Sequence, residues 1–317
     1  KEKIKKKIFN IPIEGCLSQN ESGKLQYNNP GIRIKDLDEV PSPYLSGILD
    51  EFFDGKLSPM IQSNRGCPFS CTFCTDGSDL VKQVNKFSID RVKNELEYIA
   101  KKVPKNIHSM TISDLNFGMY PRDLEICQTI SDCQKKYEYP NIIQASTGKN
   151  QKEKIINAIK SLNGALRLSM SVQSMDQEVL ENIRRSNISV DQMLALAPAI
   201  EEEKLGTTAE VILGLPGETY KSHIQTLRDL VKNNLNYVRP YTLMLLHGSE
   251  MNTPEQREKW QFKTKFRILP KDFVKLSDGK KIIETEEVVI STSTLNFEEY
   301  IDLRLLAFIM FVTNIGL

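Results

Sequence analysis

Asn64-Arg65-Gly66-Cys67-Pro68-Phe69-Ser70-Cys71-Thr72-Phe73-Cys74 carries three cysteines within eight residues, at the spacing C-x₃-C-x₂-C. A compact loop of this kind can turn three thiolates towards one point, and crowded soft thiolates suit an iron–sulfur cluster or zinc. With three local ligands, a cubane [4Fe–4S] cluster keeps one iron without a protein ligand. An open metal position is where a substrate or cofactor binds. Structural zinc would need a fourth ligand from Cys16, Cys127, Cys133 or a histidine, and none sits in a recognisable second knuckle. A disulfide would close a strained ring and leave one cysteine over.

Working outward, the loop follows the apolar run Met60-Ile61-Gln62-Ser63, the first of a repeated alternation of short apolar runs and amphipathic helical patterns. That alternation signifies βα units and a parallel sheet. Further strands are expected at 108–113, 141–145, 165–172, 207–213 and 237–246, with helices from Ser88 through Ile99, at about 121–137, 151–162, 176–185 and 190–204, and from Thr219 onward. Six right-handed βα units curl into a partial (β/α)6 TIM-type barrel, and chemistry then gathers at the carboxyl ends of the strands. Residues 1–55, punctuated by turn signals, form a lead-in with room for one hairpin. The core is 56–250, and 251–317 is a C-terminal extension: a charged helix over 252–265, short strands at 266–270 and 287–290, and a helix from Phe297 to Phe311.

Composition narrows the partners. Lys+Arg 42 against Asp+Glu 41 leaves a net charge of +1, so no global field favours nucleic acid. Six cysteines in 317 residues, half of them in one loop, do not make a secreted disulfide framework and fit a reducing cytoplasm. No signal sequence opens the chain, and the apolar run Leu305–Val312 is too short to span a bilayer. The first residue is Lys1 and the last follow that apolar run directly, which suggests neighbouring domains at both ends.

The cysteine spacing, with an aromatic residue just before the last cysteine, resembles the radical S-adenosylmethionine (radical SAM) superfamily. The resemblance implies that Cys67, Cys71 and Cys74 hold a [4Fe–4S] cluster whose open iron chelates S-adenosylmethionine. A one-electron donor such as flavodoxin or ferredoxin reduces the cluster, and the sulfonium splits to a 5′-deoxyadenosyl radical. Phe73 matches the family's aromatic beside the adenine. Asp114, at the expected end of the second strand, is either a cap for the following turn or a contact for the cofactor's amino group, with Asn116 as a weaker companion. Gln173 resembles the glutamine of a "VQS" run and offers a neutral amide to a ribose hydroxyl or substrate. Arg184 suits the cofactor's carboxylate through its bidentate fork, whereas Arg185 reads as a surface charge at a helix end.

Gly214-Leu215-Pro216-Gly217-Glu218-Thr219 resembles the superfamily's fifth-strand motif, with glycine allowing close backbone approach and Ile212 against the adenine. Lys149 and Glu210 are charges near the barrel interior that need partners. His247 lies beyond a strand end; His108 and His223 read as structural, and Cys127 and Cys133 as small apolar residues. Two flanking runs, Asp36–Leu45 and Arg267–Phe273, resemble radical SAM proteins with an N-terminal cobalamin-binding domain, although no D-x-H-x-x-G run occurs. If cobalamin is used, its domain lies upstream of Lys1. That subgroup implies methyl transfer to an unactivated carbon of a small-molecule or biosynthetic-intermediate substrate. The alternatives are a methylthiotransferase-like enzyme or a non-catalytic zinc protein.

Overall fold

The computed structural model describes residues 14–20, 22–27, 31, 33–148, 152–185, 207–233 and 237–314. The expected helix at 190–204 and Lys149 lie outside them. Two compact units divide the chain, Lys1–Val40 and Pro41–Leu317. In the first, β1 (Leu17–Gln19) and β2 (Leu25–Tyr27) form an antiparallel hairpin. Asn20 Oδ1 accepts the Lys24 N–H at 2.9 Å across its turn.

The second unit carries the alternation read from the sequence. Its elements are β3 (Met60–Ile61), β4 (Asn64–Arg65), β5 (Asn85–Lys86), α1 (Ile89–Lys102), β6 (Ser109–Phe117), α2 (Asp123–Tyr137), β7 (Ile142–Thr147), α3 (Lys152–Lys160), β8 (Leu168–Gln173), α4 (Gln177–Asn182), β9 (Thr207–Leu213), α5 (Tyr220–Lys232), β10 (Tyr237–Thr242), α6 (Pro254–Lys259), β11 (Lys263–Lys275), β12 (Lys281–Ser291) and α7 (Phe297–Asn314). Two three-stranded parallel sheets, β3-β6-β7 and β8-β9-β10, are joined by a parallel bridge from Ile143 to Leu166. Spatial order therefore follows chain order. No ladder joins β3 to β10 among the described residues, so the row stays open.

Local chemistry sets the helices. Ser88 caps α1 by accepting the Arg91 N–H, and Val92, Leu96 and Ile99 fall on one buried face at helical spacing. Asp176 caps α4 through the Val179 N–H, and Thr219 and Ser222 make a reciprocal capping box on α5. Burying each such aliphatic side chain stabilises the fold by roughly 1.5–3 kcal/mol.

The strand expected over 237–246 ends at Thr242 and the one expected from 165 begins at Leu168, and three further differences bear on the site. β6 runs on to Phe117, which puts Asp114 inside a strand instead of at its end. The charged helix expected over 252–265 stops at Lys259, because residues from Lys263 pair with β12. That pairing extends into one long hairpin, Lys263 opposite Ser291 and Lys275 opposite Lys281, where two short strands were expected. The segment after β10 docks on it: the Val289 N–H donates to Leu243 O and the Leu245 N–H to Glu287 O. Among the described residues, no helix is long and apolar enough to cross a membrane.

Candidate functional site

The cysteine loop is tied off and then anchored on two sides. β4 and β5 pair antiparallel at its base, Asn64 opposite Lys86 and Arg65 opposite Asn85. Gly66 begins the loop at φ +119°, and a Cβ there would lie 2.4 Å from the Gln83 carbonyl oxygen, so only glycine fits without a backbone shift. The Cys67 N–H donates to Val81 O at 3.0 Å and the Cys74 N–H to Cys71 O at 3.2 Å. Midway, the Thr72 N–H donates to Ile183 O at 3.1 Å, while Thr72 O accepts the Met251 N–H at 2.9 Å. Cys67 and Cys71 are buried and Cys74 is half-buried.

Asp114 holds the base of this loop. Its Oδ1 accepts the Ser63 N–H at 2.7 Å and the Asn64 N–H at 3.3 Å; its Oδ2 accepts the Ser63 hydroxyl and the Asn64 amide, the latter at 2.7 Å. Burial raises its pKa above the usual carboxylate value, and the Ser63 and Asn64 hydrogen bonds oppose that rise. Four donors from the strand-to-loop junction thus use its oxygens. The cap for the following turn is instead Asp123, whose Oδ2 accepts the Gly118 and Tyr120 N–H groups at 2.8 and 3.1 Å. Ser63 and Asn64 carry no motif of their own, and their part appears only once β3 and β6 pair.

Two residues along β6, Asn116 is buried, and its Nδ2 donates to Cys67 Sγ at 3.4 Å. Its Oδ1 is buried with no hydrogen-bond partner among the described residues, as is Thr72 Oγ1 in the cysteine loop. Gln173 ends β8 at φ +65°, left-handed for a residue with a side chain, next to a register shift against β9. Its side chain is buried too. Such backbone outliers cost of order 1–3 kcal/mol and concentrate at working sites.

The two arginines exchange the places expected of them. α4 ends in a Schellman motif: the Arg185 N–H donates to Leu180 O, the Arg184 N–H donates to Glu181 O, and Arg184 is left-handed at φ +50°. The reversal leaves Arg184 exposed and ion-paired with Glu250. Arg185 turns inward and is only 7% exposed, so it is not a surface charge. Its guanidinium donates to the Ser171 carbonyl and, at 3.9 Å, to Cys71 Sγ. Burial lowers its pKa, and the charge of the nearby Cys71, Cys67 and Cys74 works against that shift.

Phe73 and Ile212 meet on a single apolar cluster built from Val179, Leu180, Ile183, Leu215, Leu243 and their neighbours. Beyond β9, Gly214 has φ +90°, and its N–H is held by Glu218 Oε2 at 2.7 Å. Glu218 is fully buried, and its other oxygen lies 2.8 Å from His223 Nδ1. The GLPGE glutamate thus braces the glycine turn from behind, and Glu210 accepts the Ser171 hydroxyl at 2.7 Å. Cys71 and Cys74 line a cavity of about 670 Å³ together with His247, Glu250 and Arg257. Cys127 and Cys133 are buried on α2, with thiol pKa values pushed by burial up to about 12 and about 11. Those two remain protonated and inert at neutral pH.

Asp123 supplies a pH test. Burial, with Asp114 nearby, raises its carboxyl to about 6. Between the unfolded value near 4 and that raised value, the folded chain binds the extra proton. Folding stability should therefore fall as pH rises through this window, by on the order of 2–3 kcal/mol. Denaturation of wild type and Asp123→Asn at pH 4 and pH 7 checks this. An unchanged pH slope in the variant would remove Asp123 as its cause.

The residues present suit a [4Fe–4S] cluster better than a zinc ion. Among the described residues, no group of three or more His, Cys, Asp or Glu side chains is gathered to hold one metal ion, so the single point of convergence expected of the loop is absent. A cubane binds each cysteine through a different iron and needs no such convergence. A buried guanidinium donating to Cys71 Sγ matches a thiolate, and Asn116 Oδ1, without a partner among the described residues, suits a donor such as an ammonium.

Comparison with known proteins agrees. The family profile of the radical SAM superfamily matches residues 61–230, and the chain belongs to that superfamily. Radical SAM proteins use a [4Fe–4S] cluster and S-adenosylmethionine. Over 282 residues the chain is 30% identical to the cobalamin-dependent radical SAM methyltransferase TokK of Streptomyces tokunonensis, covering 85% of this chain and 40% of TokK. It is also 30% identical over 283 residues to 2-(S-pantetheinyl)-carbapenam-3-carboxylate methyltransferase of Streptantibioticus cattleyicolor, covering 86% of this chain and 41% of that enzyme. The chain thus spans about two fifths of these relatives. The solved structure of the cobalamin-dependent S-adenosylmethionine radical enzyme OxsB, with aqua-cobalamin and S-adenosylmethionine bound, shares the fold at a TM-score of 0.53 and 20% identity, over 72% of this chain and 34% of OxsB.

Proposed function

We propose that residues 56–250 are a partial (β/α)6 barrel, flanked by 1–55 and 251–317, that holds a [4Fe–4S] cluster on Cys67, Cys71 and Cys74. The observation that carries this reading is the burial of the Arg185 guanidinium against the Cys71 sulfur of that loop, where a buried cation requires negative charge. When bound, the cluster supplies the electron that splits S-adenosylmethionine to a 5′-deoxyadenosyl radical. The chain's own work is binding, orientation and exclusion of water. Phe73 and Ile212 offer an apolar surface for the adenine. Asn116 offers its Oδ1, without a partner among the described residues, to the amino group, and Gln173, in its left-handed backbone, offers an amide to the ribose or substrate. Gly214, held by Glu218, lets the backbone approach. Lys149 stays a candidate on sequence grounds alone, and Asp114 acts through Ser63 and Asn64. Arg184 has the least geometric support as a carboxylate ligand, because it is exposed and already paired with Glu250.

Both relatives at 30% identity are named as methyltransferases, and TokK as cobalamin-dependent. We extend the reading accordingly to methyl transfer onto a small-molecule carbon, with cobalamin carried by a part of the protein outside residues 1–317. Anaerobic reconstitution tests the core claim. Iron and sulfide at cluster stoichiometry, with 5′-deoxyadenosine formed from S-adenosylmethionine under reducing conditions, is the expected result. One zinc per chain and no iron would overturn it.

A further inference from the structure

Two N–H donors touch cluster-loop sulfurs, one from β6 and one from the turn after α4. Asn116 on β6 donates to Cys67 Sγ at 3.4 Å, and Arg185 beyond β8 and α4 donates to Cys71 Sγ at 3.9 Å. Neither lies there by chance of surface packing. Both residues are buried, and Arg185 is fixed at its backbone by the Schellman turn and at its side chain by the Ser171 carbonyl. Thr72, inside the cysteine loop, is hydrogen-bonded to the same turn through Ile183, so loop and arginine are positioned together.

We propose that Arg185 and, more weakly, Asn116 set the reduction potential of the cluster held by Cys67, Cys71 and Cys74. The proposal rests on the cluster assignment above and goes beyond it. Reduction adds one electron from an external low-potential one-electron carrier, forms and breaks no bond, and makes the site one unit more negative. A guanidinium sealed beside the ligand sulfurs stabilises that extra charge more than it stabilises the oxidised site, and an N–H···S bond acts in the same direction. Cluster potentials respond to net charge, hydrogen bonds to sulfur and exposure. Poor solvent screening in a buried position enlarges the effect. The result is a cluster that accepts its electron more readily than the bare loop would allow.

The test is an EPR-monitored redox titration of the intact, anaerobically reconstituted protein without S-adenosylmethionine, with iron and sulfide measured on each sample. Arg185→Gln should keep its iron and shift the midpoint to more negative potential, by on the order of tenfold in the reduction equilibrium, or about 59 mV for a one-electron couple. Arg185→Lys, which keeps the charge on a different head group, should shift less in the same direction. Asn116→Leu should also shift negatively and by less than Arg185→Gln. If Arg185→Gln fails to retain iron, the Lys and Leu variants decide the matter. A loaded cluster with an unmoved midpoint overturns the proposal. Failure of wild type to assemble a cluster would instead sink the cluster assignment itself.

Discussion

Cys71→Ala should reduce 5′-deoxyadenosine formation in the reduced, reconstituted protein to background, a loss of at least about a hundredfold. Even partners outside a metal's ligand shell cost 10–100-fold when removed, and Cys71 stands within the shell proposed here. It is 2% exposed, its sulfur receives the Arg185 guanidinium, and its backbone carbonyl closes the turn to Cys74. Alanine removes the sulfur and leaves a buried cation facing a methyl group, so the variant should also lose iron. Cys127→Ala is the matched control, because that thiol is buried on α2 and raised to about 12. Undiminished 5′-deoxyadenosine from Cys71→Ala would exclude Cys71 as a ligand. Equal loss from both variants would point to a folding defect.

Asp114→Ala should cost about 3–5 kcal/mol of stability. The carboxylate accepts from two backbone N–H groups, a hydroxyl and an amide, and alanine leaves those buried donors unpaired. Each orphaned group costs roughly 1–3 kcal/mol, set against some relief from no longer burying a carboxylate. Because Ser63 and Asn64 lead directly into Gly66 and Cys67, the cysteine loop should loosen with them and retain less iron. Asp114→Asn keeps one acceptor oxygen and should lose less. Chemical denaturation of the apoprotein, with iron retention measured in parallel, separates the two effects. Wild-type stability in Asp114→Ala would show that the junction is held by something else.

The parts that were legible in the chain are those that depend on local pattern. Alternating apolar runs and caps at Ser88, Asp176 and Thr219 announced six strands and their crossovers, and the cysteine spacing announced the centre. Long-range pairing was not legible. Asp114 looked like a strand end because the turn residues after it outweigh its neighbours, yet β6 continues under the pull of pairing with β7, and its partners lie fifty residues upstream. Arg184 and Arg185 were misplaced for a different reason. A Schellman turn usually advertises itself with glycine, and here the left-handed position is occupied by Arg184, so the reversal that carries Arg185 inward leaves no mark in the sequence. The β11–β12 hairpin ran longer than expected because its apolar residues, Phe266, Ile268, Phe273 and Ile283, are exposed and give no simple inside–outside alternation.

Trp260 is the only tryptophan in the chain, and it packs on the same apolar cluster as Phe73 while its indole N–H is fixed to Gln256. A single fluorophore therefore shares its bed with the aromatic ring beside Cys74. Its emission gives an unlabelled optical gauge of how that loop settles as metal and sulfide are delivered, without waiting for turnover.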